Sequence, residues 1–415
     1  MFKLSVNLTR SASHYIKRTM SSQEQDVLFE TLNNAGIITL NRPKALNSLN
    51  TSMVTKLLPQ LQEWENKKTL VIVKGAGDKA FCAGGDVKAA IDRVEGPRFF
   101  YTEYNCNYLI GKYKIPYIAI INGITMGGGL GLSVHGRYRI ATEKTVIAMP
   151  ETKIGLFPDV GGSYFLPRLQ VNLGLYLGLT GDRLKGWDVV KSGIATHYVP
   201  SKRLYELEIL LSRCTDEVEV DNLLNKFHEP SEQFSLADNI KHINYCFAAS
   251  TIEEIIERLQ KVQNDWSEKT LKTLSQMCPG SLKITLRALQ RGAQLELGQC
   301  LKMEYRVACR ATENHDFPEG VRALLIDKDN NPQWKPKTLA EVDDDYVESY
   351  FKKLPQDREL QFFDSKLLDK VTLNDILAFP NLWMKPQYST PKVITRMEIF
   401  VSGRQRSYSP RIGRR

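Results

Sequence analysis

Two glycine clusters, each following a short apolar stretch, constrain this 415-residue chain more than any other feature. Phe81-Cys82-Ala83-Gly84-Gly85-Asp86 comes after residues 70–73, and Asn122-Gly123-Ile124-Thr125-Met126-Gly127-Gly128-Gly129 comes after residues 115–121. A strand that opens into glycines leaves backbone N–H groups bare at its end, because no Cβ blocks a ligand's approach. One such loop reads as a tight turn. Two of matched composition, set side by side, aim two N–H donors at one oxygen, the arrangement that stabilises negative charge developing on a carbonyl.

The surrounding pattern is α/β. Residues 27–32 and 36–40 read as two strands around the turn signal Asn33-Asn34-Ala35. Met53, Leu57, Leu58, Leu61 and Trp64 recur at helical spacing ahead of the strand at 70–73. Strands are also expected at 115–121, 137–141 and 146–149. From about residue 205 strand signals fade, and Ile252, Ile255, Ile256 and Leu259, then Leu282, Leu286 and Leu289, predict helices.

These loops, taken with Gly36-Ile37-Ile38-Thr39-Leu40-Asn41-Arg42-Pro43-Lys44-Ala45-Leu46-Asn47 and Ala148-Met149-Pro150-Glu151-Thr152-Lys153-Ile154-Gly155, resemble the crotonase (enoyl-CoA hydratase/isomerase) superfamily. The runs Gly155-Leu156-Phe157-Pro158-Asp159-Val160-Gly161-Gly162-Ser163-Tyr164-Phe165-Leu166-Pro167-Arg168-Leu169, Gly181-Asp182-Arg183-Leu184-Lys185-Gly186 and Glu319-Gly320-Val321-Arg322-Ala323 narrow the resemblance to its thioester hydrolases. It covers roughly residues 25 to 355 and implies a superhelix of stacked ββα units, followed by a mainly helical C-terminal region that covers the site. The organisation expected is a leader at 1–22, a catalytic core at 23–204, helices at 205–360 and a basic tail at 361–415. The substrate implied is 3-hydroxyisobutyryl-CoA or a similar short 3-hydroxyacyl-CoA such as 3-hydroxypropionyl-CoA. CoA then belongs to the substrate, and neither a cofactor nor a metal is expected.

The resemblance places the two oxyanion donors at the backbone N–H groups of Gly85 and Gly128. It makes Glu151 the group acting on the carbonyl, Asp159 its partner and Glu103 a substrate contact, with Gly128, Glu151 and Asp159 also touching substrate. Each residue has a plainer reading beside this one. The glycines would serve tight turns, Glu151 a cap or ion pair, Asp159 the N-cap of a helix starting near Ser163, and Glu103 a solvated helix face. Hydratases of the superfamily carry a second glutamate three residues after the oxyanion glycine of the second loop. Here that position is Gly131, which has no side chain to move a proton. Cys82 lies beside the first loop without a dedicated histidine and reads as an inert buried thiol.

Charge bears on location and partners. The formal net charge is +9, but residues 1–23 carry +4 and residues 380–415 carry +7, which leaves −2 for the rest. A near-neutral body with basic ends does not make a nucleic-acid surface. Seven cysteines without paired spacing argue for reduced thiols rather than a disulfide framework. No apolar run approaches the ~20 residues that span a bilayer. Residues 1–22 lack acids and mix Lys3, Arg10, Lys17 and Arg18 with Ser, Thr and apolar residues, the make-up of a mitochondrial transit peptide. Cleavage near residue 20 and a matrix location are expected, and a disordered basic leader is the alternative. Trimers are common in the superfamily, so a homo-oligomer stays open. Two rival functions stay open as well: another crotonase activity, hydratase or isomerase, and a non-catalytic relative associated with the mitochondrial ribosome.

Overall fold

The computed structural model describes residues 25–231 and 234–362. The expected leader and the basic tail from 363 onward lie outside the described residues. Among the described residues ten strands form two sheets: β1 (Val27–Leu32), β2 (Ala35–Leu40), β3 (Leu70–Gly75), β4 (Ala80–Cys82), β5 (Tyr117–Ile120), β6 (Ile124–Met126), β7 (Tyr138–Ala141), β8 (Val146–Ala148), β9 (Leu184–Lys185) and β10 (His197–Tyr198). The larger sheet runs β1-β2-β3-β5-β7-β10, parallel except for the β1–β2 hairpin. The smaller runs β4-β6-β8-β9, with only the β8–β9 pair antiparallel.

The order is a repeat. β3 and β5 lie in the large sheet, and each is followed within a few residues by a strand of the small sheet, β4 or β6, and then by a helix. The first turn of this superhelix is abbreviated. After β2 its small-sheet strand is a single parallel bridge from Leu49 to Gly85, and the helix Thr51–Glu65 follows. That helix begins where the Asn50 side chain accepts the Met53 N–H, and it buries Met53, Leu57, Leu58, Leu61 and Trp64. Stacking the turns brings the C-terminal ends of β4, β6 and β8 together along one edge.

The large sheet is buried on both faces, as parallel sheets are. Ile38, Leu40, Val71, Val73 and Ala119 join the main core with the helices, whereas Ile37, Leu70, Ile72, Ile118 and Ile120 meet a second apolar layer. That layer is supplied by the helices Leu204–Leu211 and Glu217–Phe227 through Leu207, Leu211, Val220, Leu224 and Phe227. Beyond β10 the described chain forms helices and no strand. Those from Ile240 onward pack into the main core, through Ile243, Ile255, Leu282, Leu301 and Val347 among others.

The strands predicted from sequence fall where expected: β1 matches its bounds, β2 and β3 run one and two residues longer, and β5, β7 and β8 are trimmed. The segment expected at 115–121 narrows to β5, because Pro116 has no N–H to give the ladder; its carbonyl accepts the Val71 N–H instead. β4, β6, β9 and β10 carry no periodic signal, since two or three residues are too few to show alternation. All seven cysteines are free and buried. No helix among the described residues is long and apolar enough to cross a membrane.

Leu207 is fully buried against the back of the large sheet, so Leu207→Ala is expected to lower stability by about 2–5 kcal/mol. Denaturant unfolding checks this. A loss below about 0.5 kcal/mol, the size of a surface substitution, would mean that these helices do not hold the sheet.

Candidate active site

The first glycine loop is stitched in place by the segment before the helix Thr51–Glu65. Leu49 N–H bonds to the Gly84 carbonyl at 2.8 Å, Asp86 N–H to the Leu49 carbonyl at 2.7 Å, and Ala83 N–H to the Leu46 carbonyl at 3.0 Å. Asn47, wholly buried, donates from Nδ2 to the carbonyls of Ala76 and Ala80. Arg42 bonds the Ser48 carbonyl and pairs with Asp86. The Gly85 N–H has no backbone acceptor among the described residues. Gly128 opens the short helix Gly128–Gly131, and the first N–H groups of a helix lack intrahelical partners.

The two loops touch. A Cβ built on Gly128 would lie 3.3 Å from the Gly85 nitrogen and collide with Glu103 Oε1. At Gly127 φ is +45°, a region that favours glycine, and a Cβ there would stand 2.6 Å from Glu151 Oε1. The glycines are therefore required by the close approach of two loops and two carboxyl groups.

All five residues singled out from sequence line one cavity of about 530 Å³: Gly85, Glu103, Gly128, Glu151 and Asp159. Phe99, Phe100, Leu156, Leu324 and Leu325 give it apolar walls, and the exposed Lys88 and Lys153 stand on its rim. Glu151 begins a 3-10 turn just after β8. Glu103 projects from the helix Glu95–Gly111, and only 1% of it is exposed, so it does not occupy a solvated face. Asp159 does not cap the helix Gly162–Phe165. Its Oδ2 instead accepts the Tyr104 hydroxyl at 2.7 Å. Tyr104, next to Glu103 on an apolar helix face, was not marked by sequence reasoning. A lone tyrosine at core spacing gives no sign that its hydroxyl meets an acid.

The electrostatics are severe. Glu103 Oε1 and Glu151 Oε2 are buried without a hydrogen-bond partner among the described residues. Burial raises the Glu151 and Glu103 carboxyls well above the usual carboxylate range, with the Asp159 charge adding to it; for Glu103 the Glu151 charge adds as well. Burial pushes Asp159 up to about 6 against the lowering effect of the Tyr104 hydrogen bond. No cation offsets any of the three among the described residues. Perturbed carboxyls clustered in a cavity mark a functional site. Cys82 is fully buried beside the loop, and burial pushes its thiol up to about 12, which removes it as a nucleophile. No cluster that could hold a metal ion occurs among the described residues.

Residues 35–351 match the family described as enoyl-CoA hydratase/isomerase, and the chain belongs to it. Within that family it is 52% identical over 334 residues to a protein of Xenopus tropicalis named 3-hydroxyisobutyryl-CoA hydrolase, mitochondrial, covering 77% of this chain and 87% of the relative. The protein of the same name from Homo sapiens is 47% identical over 361 residues, covering 83% and 94%. Among solved structures, a carnitinyl-CoA dehydratase from Mycobacterium thermoresistibile superposes with a TM-score of 0.77 at 38% identity, covering 81% of this chain and 99% of that one.

A carboxyl whose pKa is raised on folding binds more protons folded than unfolded, so stability falls as pH climbs from the unfolded value through the folded one. Asp159→Asn keeps an acceptor for Tyr104 and removes the charge. It is expected to raise the melting temperature above pH 6, with the gain vanishing below about pH 3, where both states are protonated. A melting temperature unchanged at pH 8 would show that Asp159 is not under electrostatic strain.

Proposed function

We propose that this chain hydrolyses 3-hydroxyisobutyryl-CoA, and similar short 3-hydroxyacyl-CoA thioesters such as 3-hydroxypropionyl-CoA, to the free hydroxy acid and CoA. It is an acyl-CoA thioester hydrolase of valine degradation and works in the mitochondrial matrix. The observation that carries this reading is identity of about half over nearly the whole length of relatives bearing that name, in a chain whose cavity gathers Glu103, Glu151, Asp159 and two bare glycine N–H groups.

In this reading the thioester oxygen sits between the N–H groups of Gly85 and Gly128, which take up the negative charge of the tetrahedral intermediate. Glu151 attacks the carbonyl carbon itself, or removes a proton from the water that does. Collapse of the intermediate breaks the C–S bond and the thiolate leaves with a proton; where Glu151 made the attack, water then hydrolyses the mixed anhydride and frees Glu151, so that by either route one water is consumed and one carboxylic acid and one thiol appear. Asp159, steadied by Tyr104, bonds the 3-hydroxyl or passes that proton. Glu103 holds the distal end of the acyl group. Lys88 and Lys153 at the rim suit the phosphates of CoA, and the apolar walls keep water scarce, which strengthens each polar contact inside.

Double-bond hydration is the competing chemistry, the reverse of the reaction for which the carnitinyl-CoA dehydratase is named. Space at residue 131 weighs against it. A Cβ on Gly131 would lie 2.7 Å from Val160 Cβ and 2.9 Å from Asn107 Nδ2, so no second glutamate fits there.

Free-thiol release from 3-hydroxyisobutyryl-CoA, followed beside the absorbance of a short enoyl-CoA, tests the assignment. Thiol release should dominate; turnover of the enoyl-CoA alone would overturn it. Glu151→Gln should cut thiol release by at least ~10²-fold, the usual loss when a general base is removed. Gly128→Ala should cost on the order of 10²–10³-fold in kcat, since its methyl displaces Glu103 and crowds the Gly85 donor, and the fold should survive. A Gly128→Ala enzyme within a few fold of wild type would move the donor elsewhere.

A further inference from the structure

The turn that carries Asp159 is held by a carboxylate that does not line the cavity. Glu304, on the helix Leu297–Glu313, is wholly buried. Its Oε2 accepts the Gly161 N–H at 2.7 Å, and its Oε1 accepts the Ser163 N–H at 2.8 Å and the Ser163 hydroxyl at 2.5 Å. On the other side, His135 Nε2 lies 2.7 Å from the Val160 carbonyl. Burial pushes the His135 ring down to about 4, so it is neutral, and Nε2 carries the proton because a carbonyl only accepts. The turn needs such restraint. Val160 has φ +51°, unfavourable for a β-branched residue, and Gly161 has φ +84°.

The same helix also touches the other acid-bearing element. Tyr305, adjacent to Glu304, packs its ring edge-on to Tyr101 and Tyr104 at 5.7 and 6.3 Å. Those tyrosines flank Glu103 on the helix Glu95–Gly111, and Tyr104 bonds Asp159. One helical turn of the C-terminal region thus grips both supports of the Asp159 carboxyl. A stitch of purely structural use has no need of a charge; a buried carboxylate is expensive unless several donors converge on it, as they do here.

We propose that Glu304 is a positioning residue for thioester hydrolysis, fixing residues 160–163 so that the Asp159 carboxyl stands in the cavity beside Glu151. This rests on the reading of Asp159 as a member of the reacting set. Glu304 and Asp159 also interact through charge. Burial pushes Glu304 up to about 7 and the Asp159 charge contributes, so Asp159, which ionises first near 6, opposes the ionisation of Glu304. The titratable groups facing Asp159 are Glu103 and Tyr104 from one helix, Glu151 from the turn after β8, and Glu304; Tyr104 and Cys300 also face Glu304.

The test measures kcat and KM for thiol release across pH in the full chain carrying Glu304→Gln, Ser163→Ala or Asp159→Asn. In Glu304→Gln an NH2 donor replaces one carboxylate oxygen and faces a backbone N–H, so the turn shifts; a displacement of about 1 Å costs up to ~10²-fold. The expected result is a kcat lower by roughly 10- to 10²-fold, with KM within about threefold. The loss should fall on kcat at every pH, because Asp159 ionises near 6, before Glu304 carries its charge. Ser163→Ala, which keeps both backbone donors, should show the same loss of kcat at constant KM in smaller degree, and it decides the matter if Glu304→Gln does not fold. Wild-type kcat in both variants overturns the proposal, as does a loss that falls on KM instead of kcat. Full activity in Asp159→Asn overturns the underlying reading. An inactive Asp159→Asn beside an unchanged Glu304→Gln overturns this inference alone.

Discussion

Three buried carboxyl groups share one cavity with no cation among the described residues to offset them, and most of the local architecture follows from that constraint. Each of Glu103, Glu151 and Asp159 is nearly inaccessible, and each ionised neighbour makes the next ionisation harder. Folding alone would select against such a group, since burying even one unpaired acid opposes stability. The fold keeps them by supplying rigid seats on three separate elements: a helix for Glu103, the end of β8 for Glu151, and a clamped turn for Asp159. Loops free to move would let the acids drift apart toward water, and the strain would relax at the cost of the geometry.

The stacked ββα turns explain how such seats come to lie together. In a superhelix, equivalent positions of successive turns fall into line, so the loop after β4, the loop after β6 and the turn after β8 become neighbours along one edge although some 65 residues separate Gly85 from Glu151. Side chains at the seam would hold those loops apart. With glycine at 84, 85, 127 and 128 the backbones themselves come into contact, and the N–H groups face the same space as the acids. The C-terminal helices then close the cavity with Leu324 and Leu325 and press on the acid-bearing elements from behind.

Much of this was legible in the sequence, and unevenly so. The glycine loops, the helix at 51–65 and the strands of the large sheet follow from composition and period. Glu151 and Asp159 were picked out by the family resemblance, and their sequence surroundings alone left a cap or an ion pair open for Glu151 and a helix N-cap for Asp159. Of the small sheet only β8 was legible; β4, β6 and β9 were hidden, because strands of two or three residues carry no alternation. The supports were hidden for a different reason. Tyr104, His135 and Glu304 lie 55, 24 and 145 residues from Asp159, and nothing in the local spacing of any one of them points to the turn they hold. Only the packed helix places Glu304 opposite the Gly161 and Ser163 N–H groups.

Packing also bears on which reaction this scaffold can run. The atom closest to a side chain at residue 131 belongs to Val160, the residue directly after Asp159. The turn that presents Asp159 therefore occupies the room that a second glutamate in the helix Gly128–Gly131 would need. The two acids are alternatives imposed by volume, and a chain built with one is closed to the other unless residues 157–163 take a different course. That course is fixed by Val160 and Gly161 in the left-handed region, by His135 on one side and by Glu304 on the other. Exchanging the proposed hydrolysis for hydration would therefore call for remodelling a clamped turn and the helix behind it, and a single substitution at residue 131 is not expected to achieve it.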